Sequence, residues 1–175
     1  MSAFSAHSRS SGPPRTYVGR WLQAAMLDQR ELRDSLIVTL NGGRAGWNDD
    51  EPAVVEAACE LMLREYFGPA GPDAAALQRL SVEVRDGYAA DKLPVSQEDA
   101  EAVIRVALGK AEGVGGTVHR GHAYRIRAMV ATILAARLGM QDVAVDAVLR
   151  EAERVTFERG WHPPLVPRRA GAEHP

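Results

Sequence analysis

Apolar residues along this chain recur at three- and four-residue spacing and seldom alternate, the periodicity of helices with one buried face. Tyr17, Val18, Trp21, Leu22, Ala25 and Met26 make one stripe, and Leu32, Leu36, Ile37 and Leu40 continue it beyond Asp28. This stretch reads as one kinked helix or as two helices meeting near Asp28, stopped by Asn41-Gly42-Gly43. Leu36 to Leu40 is also the best strand candidate, but no second strand follows to pair with it, so helix is preferred. Asn48, Asp49, Asp50 and Pro52 open the next helix, which carries Val54, Val55, Ala58, Leu61, Met62 and Tyr66 on one face and stops at Gly68-Pro69. Leu77, Leu80, Val84 and Tyr88 form a stripe that ends before Pro94. Ser96 is a strong start signal, with Asp99 as a short-armed capping-box partner, for a helix facing inward through Ala100, Val103, Ile104, Ala107 and Leu108. A Gly-rich connection over 110–117 leads into a helix from about Val118 to Leu138, with Ile126, Met129, Val130 and Ile133 inward. Gly139 caps it, and the last helix runs from Asp142 to about Arg159 with Val145, Val148, Leu149, Ala152 and Val155 inward.

The pattern predicts an all-α fold, a single compact domain of five or six antiparallel helices over 15–161. Residues 1–14 are rich in Ser and are expected to form a disordered arm, and 162–175, with Pro163, Pro164 and Pro167, a flexible, extended Pro-rich tail. No apolar run approaches the ~18 residues of a membrane span. The N-terminal residues lack the apolar stretch of a secretory signal. A cytoplasmic location without membrane contact is therefore expected.

Composition supports helices: 28 of the 175 residues are Ala and 19 are Arg, against two Lys. The balance of 21 basic and 23 acidic residues excludes a polycationic nucleic-acid packager and a strongly acidic solvating chain. Cys59 is the single cysteine, which excludes an intramolecular disulfide and a Cys-based zinc site.

Candidate chemistry is sparse. His119 and His122 are three apart and could share a metal if another helix supplied a carboxylate, but His122 falls on the core side beside Ile126 and Met129. Cys59 lies mid-helix among acids that would raise its thiol pKa, away from the electropositive surroundings a reactive thiolate needs. No Gly-x-Ser-x-Gly elbow is present. The glycines after Lys110 follow a helix rather than a strand and come after the lysine, unlike a phosphate cradle. Pro164 to Arg169 matches a PxxPxR ligand, a short pattern that arises often by chance. No catalytic, cofactor-binding or metal residue is assigned, and no cofactor is expected.

Charge is the most informative feature. The helix over 118–138 carries Arg120, Arg125, Arg127 and Arg137 with no acid, whereas the segment from Asp49 to Tyr66 holds six acids against Arg64. The two helices either lie together in the fold or meet an anionic partner, nucleic acid or the acidic face of a second copy. Arg120, Arg125 and Arg127, with Glu56 and Glu60, are the candidate interaction residues. The expected function is a non-enzymatic protein-interaction or assembly module, an adaptor that self-associates. The first alternative is a nucleic-acid-binding regulator using the Arg-rich helix. Against a helix-turn-helix, the last helix carries five acids and three arginines, a poor fit to the phosphate-lined major groove. The second alternative is a small enzyme or metal protein around His119 and His122.

Overall fold

The computed structural model describes residues 12–42, 50–90, 94–110 and 118–167. The Gly-rich segment 111–117 and residues 1–11 and 168–175 lie outside the described residues. The fold is all-α, with α1 (Tyr17–Met26), α2 (Arg30–Gly42), α3 (Glu51–Phe67), α4 (Ala74–Gly87), α5 (Gln97–Ala107), α6 (Arg120–Arg137) and α7 (Asp142–Glu158). Among the described residues there are seven helices where five or six were expected, and residues 17–42 divide in two at Asp28.

Local chemistry accounts for the boundaries. Thr16 Oγ1 accepts the Gly19 amide at 2.9 Å, the Asp73 carboxylate accepts that of Ala76 at 2.6 Å, and Ser96 Oγ accepts that of Asp99 at 3.0 Å. Each satisfies an amide that the first helical turn leaves without a partner. The carboxylate of Asp50, the residue before α3, instead accepts the His162 amide at 2.8 Å. At the C-terminal ends of α5, α6 and α7 the chain turns through Gly109, Gly139 and Gly160, all left-handed. Paired backbone bonds close each turn, such as Met140 N–H to Ala135 and Gly139 N–H to Ala136. α1 ends in the same way with Asp28 in the glycine's place, at φ 53°. There the Gln29 amide reaches the Ala24 carbonyl at 2.8 Å and the Asp28 amide reaches Ala25 at 3.3 Å.

α3 is the centre of the molecule. It packs against α6 and α7, and also against α1 and α5. Val54, Val55, Ala57, Ala58, Cys59, Met62 and Leu63 are all buried. The breadth of that set shows a helix enclosed on most sides rather than one with a single apolar stripe. α4 pairs with α5, and α2 packs against α1.

One antiparallel bridge, Thr16 with Leu165, ties the two ends of the helical region together. The Tyr17 amide donates to the Pro164 carbonyl at 3.1 Å and the Val166 amide to the Arg15 carbonyl at 2.7 Å. The Pro-rich segment is extended as far as Pro167 and is docked on the start of α1. The proline ligand motif therefore has part of its backbone already engaged.

Candidate interaction surfaces

The two helices of opposite charge lie side by side. Arg127 Nη1 on α6 stands 3.6 Å from Glu56 Oε2 on α3, with 11% of the arginine side chain exposed. Glu60, one turn further along α3, is engaged by Arg159 at 3.0 Å. The guanidinium of Arg125 sits 4.4 Å from the centroid of the Tyr88 ring, and the Tyr88 hydroxyl donates to the Arg125 carbonyl at 2.7 Å. Arg137 pairs with Glu83 on α4 and lies over Tyr66. Of the three arginines singled out by sequence, Arg120 alone is exposed and without a partner among the described residues. The structure thus brings Glu56 to Arg127, sends Glu60 to an arginine outside the set, and leaves Arg120 apart.

His119 Nδ1 accepts the Gly121 amide at 3.1 Å and so caps α6, with its ring 6.3 Å from that of His122. No group of three or more His, Cys, Asp or Glu placed to hold a metal ion occurs among the described residues. Lys110 reaches the Pro72 carbonyl at 3.4 Å and packs against Gly71 at the entry to α4. Cys59 is fully buried, and its thiol is pushed up to about 12. Burial is the main cause; Arg127 opposes it, and Glu60 and Glu56 add to it. The neighbouring acids thus act in the expected direction but rank below desolvation.

Two buried carboxylates escaped the sequence reading. Glu153 Oε1 accepts the Arg15 and Thr16 amides, both at 2.7 Å, and the Thr16 hydroxyl at 2.9 Å. Its other oxygen lies 3.3 Å from Arg150. A carboxylate here complements the positive end of α1 and anchors the chain that leads into it. Glu51, in the first turn of α3, is also fully buried, and desolvation raises its carboxyl to about 7. Close by, Tyr124 stacks on Trp21 with ring centroids 5.7 Å apart. The Tyr124 hydroxyl is pushed well above its usual range by burial, then by Glu51 and Tyr88. A spacing signal existed for both acids: Glu51 precedes Val54 and Val55 by three and four, and Glu153 follows Leu149 by four.

Comparison with protein-family models, curated proteins and solved structures gives no match. α2 packs mainly on α1 and exposes Leu32 at 48% and Val38 at 69%. Leu138 and Val143 are exposed where α6 turns into α7, and Trp161 and Leu165 in the docked C-terminal segment. No helix among the described residues is long and apolar enough to cross a membrane.

Proposed function

We propose that this chain is a non-enzymatic helical interaction module, an adaptor or assembly unit that self-associates. The observation that supports it is α2, which lies outside the shared core, packs on α1 and turns Leu32 and Val38 to solvent. On a helical wheel these two flank Ser35, a small residue that allows a second helix to approach closely. The charges of α2 balance, Arg30 and Arg33 against Glu31 and Asp34, and Arg33 pairs with Asp34 on the same helix. A second copy of α2 can pack there without net repulsion, in the self-complementary manner of a two-fold contact. Glu56 and Glu60 are each taken up by an arginine of the same chain, so the charged seam serves the fold and association falls to α2.

A contact built on so few apolar side chains belongs with the small, transient interfaces below about 1,200 Å². Sedimentation over a wide concentration range tests the reading. The mass should rise with concentration, and Leu32→Gln with Val38→Gln should restore the monomer without lowering Tm. A constant monomer mass would refute self-association. Nanomolar binding of duplex DNA at physiological salt, lost on Arg120→Glu, would favour the nucleic-acid alternative instead.

A further inference from the structure

A groove of about 740 Å³ is lined by both of the extended segments that meet at the Thr16–Leu165 bridge. Pro13, Pro14 and Arg15 line it from one segment, Leu165 to Pro167 from the other, and Arg20 from α1. Its walls are mostly apolar, and two of the residues that line it, Arg15 and Arg20, are cationic. Arg20 Nε is buried and has no hydrogen-bond partner among the described residues. A buried donor left unpaired is costly, and no hydrogen bond or ion pair among the described residues commits the Arg20 guanidinium to another acceptor.

The acids nearby are already engaged. Glu153 accepts three hydrogen bonds from Arg15 and Thr16 and pairs with Arg150. Asp146 accepts a hydrogen bond from the Gln23 side-chain carboxamide, and its field reaches Arg20 without an ion pair forming between them. The groove therefore calls for a negative ligand group.

Leu165 specifies the form of the ligand. The bridge uses the Pro164 carbonyl and the Val166 amide, so the N–H and C=O of Leu165 point away from Thr16. Neither carries a hydrogen bond among the described residues, and the Leu165 side chain is 56% exposed. An extended backbone can add there. On that edge the neighbours two positions away, Pro163 and Pro167, have no N–H to offer, so donation is confined to Leu165 and the carboxylate must supply much of the selectivity.

We propose that this groove binds an extended acidic peptide segment of a partner protein, its backbone against Leu165 and a side-chain carboxylate on Arg20 and Arg15. The proposal rests on the reading of the chain as an interaction module and names the chemistry of a partner. An inorganic anion would use the guanidinium groups but neither the apolar walls nor the free backbone pair.

Fluorescence anisotropy with the full chain and a labelled Val-Glu-Val-Glu-Val peptide, blocked at both ends, tests it. Saturable binding is expected, weakened by at least about tenfold when Gln replaces Glu in the peptide. Arg20→Gln should cost a similar factor. Leu165→Glu, at an exposed position, should also abolish binding while leaving Tm unchanged, which separates the effect from misfolding. Affinity should fall as salt rises. Absence of saturable binding, equal binding of the Gln peptide, or indifference to both substitutions would overturn the groove. Competition by free glutamate as effective as by the peptide would reduce it to a simple anion site and overturn it too. Sedimentation of the same samples keeps the two readings apart, since self-association without peptide binding removes the groove alone.

Discussion

Gly19 sits where α1 begins, and its missing side chain leaves room for Glu153 to reach the amides of Arg15 and Thr16. A Cβ at this position would lie 2.7 Å from Thr16 Oγ1 and 2.9 Å from both Glu153 Oε1 and Pro14 Cβ. Gly→Ala inside a helix ordinarily stabilises by about 1 kcal/mol. Here Gly19→Ala should destabilise by about 1–3 kcal/mol through overpacking, read as a lower urea midpoint; a higher midpoint would disprove the contact. Glu51 gives a pH signature. Its folded carboxyl titrates near 7 against an ordinary 4.5, so the folded state binds more protons than the unfolded state between those values. Stability should therefore fall as pH rises through that window and level off above about pH 7. Glu51→Gln should flatten the slope and leave the protein more stable than the parent at alkaline pH. An unchanged slope in urea titrations at pH 5 and pH 8 would contradict the assignment. Both acids sit at helical spacing within apolar stripes, so their burial was legible in principle. A reading that counts acids toward a helix's net charge hides it, because charge is a sum and burial depends on position.

At the scale of elements, the helix ends were the most legible feature. The serine before α5 caps as its spacing predicts, and Gly68, Gly109, Gly139 and Gly160 stand where helices stop. The break between α1 and α2 was undecided because the left-handed position is filled by Asp28, which lacks glycine's clear signal. Only the finished turn, with Gln29 bonded back to Ala24, reveals two helices. Asp28→Gly should relieve the left-handed strain and raise stability by about 0.5–1 kcal/mol. The Asp28–Arg30 pair lost in the exchange is 80% and 76% exposed and contributes little. A Tm that falls would mean the aspartate stabilises the turn by more than its strain costs. The docking of the Pro-rich segment was not legible, since the bridge between Thr16 and Leu165 is made by two backbone bonds of their neighbours, Tyr17 to Pro164 and Val166 to Arg15, that no side-chain pattern encodes.

Across the whole molecule, segregated charge singles out two helices but does not say whether they face each other within one chain or between two. Net charge identifies complementary surfaces, and topology decides which of them meet. α3 is the core helix, and its acids Glu56 and Glu60 lie at seams between elements, within reach of Arg127 on α6 and of Arg159 just beyond α7. A charge swap tests this placement. Arg127→Glu puts a carboxylate opposite Glu56 in a half-buried seam and removes the arginine stem packed there, so the monomer should lose about 1–3 kcal/mol. Adding Glu56→Arg to the same chain restores opposite signs and should recover part of that loss, with a coupling of at least about 0.5 kcal/mol. The recovery must appear in urea titrations of the double variant, at concentrations where sedimentation shows a single monomeric species. An intermolecular contact would behave differently: chains carrying Arg127→Glu and Glu56→Arg separately would rescue each other on mixing, and the mass would rise. That outcome would return the association surface to the charged seam and remove α2 as its centre.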